Sequence, residues 1–285
     1  MTAVTVLAVG GTGESHVGDS RTDIVGLLGF VTRELDARFD SRWIGYPASY
    51  GPVADGGLSF RMSTSLGADA LTGAMSQTRR PVILIGYSQG CTVIREVLGR
   101  IALGGLPAVD VVAVGLISDP QQPVGVLDTC TGRGVAGDGP DIPSWIPVRW
   151  IGHPDDMICN ASDDSFVRDI ADLTRWMSFV QTRTWLSEIW ELLRDNRFQN
   201  AAKTGFGPRQ WRTDLRRIRT SIHEVLGYLP ATLTWHNFRV HNPRGGRHVA
   251  YATEPMNEDG STGCQILAAW IREQTPITTS AVHAA

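Results

Sequence analysis

At residues 81–91 an apolar, β-prone run, Val82-Ile83-Leu84-Ile85, passes directly into Gly86-Tyr87-Ser88-Gln89-Gly90, and Cys91 to Arg100 then repeats apolar residues at helical spacing. A serine between two spaced glycines is a weak signal alone, because this chain has 31 glycines. Its position gives it meaning. A sharp strand-to-helix turn lifts the middle side chain clear of a sheet and needs very small residues on both sides. The helix that follows aims its free N–H groups at the same spot, where negative charge could be held. The segment predicts a nucleophilic Ser88 rather than a plain structural turn.

The flanking sequence fixes the expected layout. Residues 3–10 form a β-prone run ending in Gly10-Gly11-Thr12-Gly13, and continuous apolar runs of this kind suit strands buried on both faces. Further strands are expected over Arg42–Tyr46, Pro81–Gly86, Val109–Ser118 and Val148–Gly152, and helices over 20–38, 63–78, Ser88–Leu103 and 262–273. Alternation of this type predicts an α/β fold with a doubly wound, mostly parallel sheet. From Ser162 to Leu229 only helical periodicity is visible, with Phe166, Ile170, Leu173, Met177 and Val180 as one stripe. The expected organisation is therefore a core of residues 1–161 and 230–275, a helical insertion over 162–229 and a tail at 276–285. At 285 residues, one large core with an insertion is what the length allows.

Charge and hydropathy exclude some functions. The net charge of −3 gives no positive field for nucleic acid, and no uncharged apolar run reaches the ~18 residues a bilayer span requires, so stable membrane insertion is not expected. Met1 to Gly13 is uncharged, and its apolar stretch reads as a buried strand rather than an export signal, which would want positive charge first. The four cysteines, Cys91, Cys130, Cys159 and Cys264, are spaced singly, so neither a disulfide scaffold nor a zinc ribbon is expected, and one bridge at most. No cofactor is called for.

A serine hydroxyl becomes nucleophilic when a histidine takes its proton, and a carboxylate orients that histidine. On an elbow of this type the chain order is serine, acid, histidine. His283 falls in the tail and His223 on an insertion helix, leaving His236, His241 and His248. His248 sits in a glycine-rich loop after the last strand-like segment, where an accessible base belongs. For the acid, Asp155 and Asp156 follow the Val148–Gly152 strand, and Asp119 follows the Val109–Ser118 strand with the same geometric claim.

Gly86-Tyr87-Ser88-Gln89-Gly90 resembles the nucleophile motif of cutinases and related serine esterases. Tyr46-Pro47-Ala48 resembles the Tyr-Pro-Ala that follows their second strand, and Asp155-Asp156-Met157-Ile158-Cys159 resembles their Gly-Asp-x-Val-Cys. The resemblance implies an α/β-hydrolase fold, Asp156 as the acid, and an oxyanion hole made by Thr12 and Gln89. Asp155 replaces the usual glycine, and the expected cysteine just upstream of the acid is absent, which leaves the family's disulfides without support. The long spacing between Asp156 and His248 is similar to that of the LysB-type mycolylarabinogalactan esterases of phages that infect mycobacteria and their relatives. That similarity implies cleavage of the ester joining mycolic acid to arabinogalactan during lysis. The protein would be made in the host cytoplasm without a signal peptide and act at the host envelope. A single lysine, Lys203, among 26 basic residues fits a GC-rich genome. Insertion aromatics (Trp176, Phe179, Trp185, Trp190, Phe198, Phe206, Trp211) are expected mainly to build its own core, with a minority free to line an acyl channel.

Two other classes compete. His153-Pro154-Asp155-Asp156 resembles the motif of zinc-dependent sugar N-deacetylases, in which His153 and Asp156 would bind metal, but no further spaced histidine pair follows. A non-catalytic envelope-binding module on a hydrolase fold is the other, since fold alone never establishes activity. Other long-chain esters, as taken by cutinases and lipases, are the nearest alternative substrates.

Overall fold

The computed structural model describes residues 4–51, 57–106, 110–163, 165, 167, 168, 171, 220–229, 231–235 and 238–275. Five parallel strands, β1 (Val4–Val9), β2 (Phe39–Trp43), β3 (Val82–Tyr87), β4 (Val111–Ile117) and β5 (Val148–Ile151), form one sheet in the order β2-β1-β3-β4-β5. The helices packed on this sheet are α1 (Leu28–Thr32), α2 (Phe60–Ser76), α3 (Gln89–Ala102) and α4 (Gly263–Gln274), and a short 3-10 helix, Arg247–Ala252, carries His248 where the sequence suggests a loop. Alternate strand residues face opposite sides, so Ile83, Ile85 and Tyr87 pack with α1 and α4, while Val82 and Leu84 pack with α2 and α3. Both faces are covered, which is why these strands read as unbroken apolar runs. The fold is the expected doubly wound α/β type.

Several expected elements differ in extent. Residues 20–38 give only the five-residue α1, because Gly26 adopts φ +61 and stops a helix from entering through it. A side chain there would also strike the Glu14 carboxylate, since its Cβ would fall 2.0 Å from Oε1. The second strand lies earlier than expected, because its register against β1 pairs Val4 with Phe39 and Ala8 with Trp43. Residues 232–241 form a separate antiparallel pair, β6 (Thr232–Trp235) with β7 (Phe238–His241), and take no place in the five-stranded sheet. All four cysteines are buried and free, so no bridge forms in this structure. Of the expected insertion, residues 220–228 are helical, while its aromatics from Trp176 to Trp211 lie outside the described residues. Among the described residues no helix is long and apolar enough to cross a membrane.

The sheet order decides where a site can form. β2 lies to one side of β1 and β3 to the other, so the loops leaving β1 and β3 diverge and open a crevice between them. Thr12 follows β1 and Ser88 follows β3, at the two lips of that crevice.

Candidate active site

Ser88 is the N-cap of α3, yet its side chain makes no cap hydrogen bond. A serine at that position normally accepts from its own helix. Here φ +52 and ψ −118 turn the hydroxyl away and leave the first helical N–H groups without a cap. The turn is feasible because residue 90 is glycine; a Cβ on Gly90 would fall 2.0 Å from the Val9 carbonyl oxygen. α2 and α4, by contrast, are capped conventionally by Ser59 and Thr262.

Ser88 Oγ lies 3.1 Å from His248 Nε2, and His248 Nδ1 lies 3.0 Å from Asp156 Oδ2. A proton on Nδ1 is donated to the carboxylate, which leaves Nε2 free to accept from the serine. Asp156 is fully buried and also accepts from Ser118 Oγ at 2.6 Å, Tyr251 OH at 2.7 Å and the Ile158 N–H at 3.1 Å. Burial pushes its carboxyl up, but the His248 charge and the hydrogen bonds from His248, Ser118 and Tyr251 outweigh this and hold it below the usual carboxylate range. Tyr251 OH in turn accepts the His153 N–H at 3.1 Å. Tyr87 packs its ring against the imidazole, with centroids 5.1 Å apart, and donates its hydroxyl to the His248 carbonyl at 2.8 Å. Burial pushes the Tyr87 phenol far up, so it stays a neutral donor.

The loop after β1 is held from two sides. Tyr46 OH lies 2.7 Å from the Gly10 carbonyl and 3.2 Å from Gln89 Oε1, and the Ala48 carbonyl accepts the Gly13 N–H at 2.9 Å. Gln89 Nε2 donates to the Ser49 carbonyl at 2.8 Å, so its side chain braces this loop and its backbone N–H stays at the helix start. Glu14 closes the loop from below, its Oε2 accepting the Gly11 N–H at 2.7 Å and its Oε1 the Leu27 N–H at 2.9 Å. Gly11 lies against Ser88, where an added Cβ would fall 3.3 Å from the serine Cβ. Beyond the regular ladders, neither the Thr12 nor the Gln89 N–H has a backbone acceptor among the described residues.

Beside Ser88 a cleft of about 510 Å³ opens, lined on its apolar side by Leu27, Phe30, Tyr87, Tyr228, Val249 and Ala252. That volume is within the range of small-molecule sites.

Ser88, His248 and Asp156 thus form one hydrogen-bonded chain, Thr12 lines the same cleft as Ser88 and His248, and Gln89 follows Ser88 at the helix start. The competing residues lie elsewhere. Asp119 is fully buried in an ion pair with Arg95 at 3.0 Å and accepts from Trp150 Nε1 at 3.2 Å. His241 is an exposed residue on β7, His223 is exposed beside Arg244, and His236 and His283 lie outside the described residues. His153 Nδ1 accepts the Asp155 N–H at 3.0 Å, and both Asp156 oxygens are already engaged. Among the described residues no group of three or more His, Cys, Asp or Glu side chains is placed to hold a metal ion. Sequence reasoning missed Ser118, Tyr251, Glu14 and Tyr228. A tyrosine three residues after the candidate histidine was the one local cue among them.

A family model described as PE-PPE domain matches residues 38–136. No curated protein matches the sequence. Among solved structures, the catalytic core domain of acetyl xylan esterase from Trichoderma reesei is 22% identical, with 67% of this chain and 98% of that one covered, at TM-score 0.45. A cutinase-like protein from Cryptococcus sp. is 18% identical over 55% of this chain and 79% of its own, at TM-score 0.38. A lipase-esterase related protein from Clostridium acetobutylicum is 15% identical over 42% and 43%, at TM-score 0.29. None of these values is high enough to transfer an activity or a substrate.

Proposed function

We propose that the protein is a serine esterase in which Ser88, His248 and Asp156 act as nucleophile, base and acid. One observation carries this reading: the unbroken chain Ser88 Oγ–His248 Nε2 at 3.1 Å and His248 Nδ1–Asp156 Oδ2 at 3.0 Å, at a helix start that the Ser88 side chain leaves uncapped. His248 takes the Ser88 proton as Oγ attacks the ester carbonyl, and Asp156 stabilises the imidazolium that forms. The Thr12 and Gln89 N–H groups receive the oxyanion. Collapse of the tetrahedral adduct breaks the ester C–O bond, and His248 returns its proton to the departing alcohol. A water then repeats the sequence on the acyl-serine and frees the acid. The apolar wall of the cleft suits a long acyl chain.

The substrate we assign is the mycolyl ester of arabinogalactan, cleaved at an actinobacterial envelope in phage lysis. Its support is the resemblance of the motifs and of the Asp156–His248 spacing. Purified mycolyl-arabinogalactan incubated with the protein should release free mycolic acids, and a Ser88→Ala variant should release none. Hydrolysis of other long-chain esters without release from this polymer would leave the esterase reading standing and overturn the substrate.

A further inference from the structure

The helical segment 220–228 ends beside the candidate base. We propose that Tyr228 is a positioning residue for His248, so that the end of the expected insertion sets the tilt of the imidazole facing Ser88. The proposal rests on the serine-esterase reading above.

Hydrogen bonds to the two ring nitrogens fix where the imidazole lies, but they leave it free to rock about the line between its partners. Only contacts on the ring itself restrain that motion. Among the described residues two rings supply them: Tyr87 at 5.1 Å and 29°, and Tyr228 at 5.2 Å and 41° between planes. Tyr87 is anchored in the sheet as the last residue of β3. Tyr228 depends on its own segment, which is tied to the histidine loop on one side. There the Gly246 N–H donates to the Leu229 carbonyl at 2.7 Å, and Asn242 Nδ2 to the Leu226 carbonyl at 2.6 Å. On the other side it meets the acid loop, where Gly227 lies so close that a Cβ would fall 2.2 Å from the Asp155 carbonyl oxygen. One helical turn thus touches the loops that carry Asp156 and His248. The His248 side chain is left 12% exposed, which keeps water from competing for its nitrogens.

The test separates this role from that of a groove wall by using p-nitrophenyl acetate, whose acyl group is too short to fill the cleft. Tyr228→Ala should lower kcat by about 10- to 100-fold, the range expected when a reacting group is misplaced by about an ångström, with KM changed by less than about threefold. Tyr228→Leu, which keeps bulk and helix propensity but removes the ring, should follow Ala, and Tyr228→Phe should recover most of the loss. The His248 ring-proton resonances, shifted upfield by the neighbouring ring, should move downfield in Ala and Leu but not in Phe. Wild-type kcat in Ala and Leu, or a fall in kcat with unmoved His248 resonances, would overturn the proposal. If the unaltered protein hydrolyses no more ester than Ser88→Ala, the esterase reading itself fails, and the resonances still judge the ring contact.

Discussion

Tyr251→Phe removes one oxygen from a fully buried side chain and leaves its ring in place, so no large cavity accompanies the change. The lost hydroxyl donates to Asp156 Oδ2 at 2.7 Å and accepts the His153 N–H at 3.1 Å. A hydrogen bond to a charged group contributes ~1.5–3 kcal/mol, and a stranded buried donor costs ~1–3 kcal/mol. Because both terms share one atom they will not add fully, and a loss of about 2–4 kcal/mol is expected. The pH dependence has a definite sign. Asp156 is depressed in the fold, so its contribution is present above the unfolded value of ~3.9 and is lost as pH falls through the folded value. Removing one donor lessens the depression, so the contribution at neutral pH shrinks and its loss is complete at a higher pH than in the parent. Urea titrations at pH 7 and through the acid range measure both effects, with an unchanged slope expected. A loss below about 0.5 kcal/mol, typical of a neutral surface change, would refute the bond between Tyr251 and the carboxylate.

Asp119→Asn should cost about 3–5 kcal/mol by stranding buried Arg95, while kcat of the folded fraction stays at the parent value; a large fall in kcat would move the acid from Asp156 to Asp119. Gly90→Ala should abolish activity and lower Tm, since its Cβ must displace the Val9 carbonyl; unaltered kinetics would show that the elbow is not so closely packed. Asp156→Asn should lower kcat by about 10⁴-fold through the wrong imidazole tautomer, read in steady-state hydrolysis of p-nitrophenyl butyrate, and a fall below tenfold would contradict its role as the acid.

What the sequence disclosed follows from how local each cause is. The β3–Ser88–α3 turn was legible because apolar run, spaced glycines and helical stripe are adjacent in the chain. His248 stood out from its place after the last strand-like segment, whereas position alone left Asp155, Asp156 and Asp119 open and only the resemblance favoured Asp156; the contact across 92 residues is made by the fold. Tyr251 and Ser118 look like ordinary core and strand-end residues until the fold turns their hydroxyls to one carboxylate. Residues 20–38 carry a real apolar stripe, with Leu27, Leu28 and Val31 buried, but the positive φ of Gly26 overrides it and leaves a single turn of helix. The β6–β7 pair lies in the expected core segment 230–275 yet takes no place in the five-stranded sheet, because short alternating strands pair equally well whether or not they join a larger sheet.

Intact-mass analysis after treatment with a fluorophosphonate asks most directly whether an imidazole-activated hydroxyl stands at residue 88. One phosphonyl adduct per chain, mapped to Ser88 by peptide sequencing and lost in both Ser88→Ala and His248→Ala, is the predicted result. An unlabelled protein, or an adduct that persists in Ser88→Ala, would contradict the account.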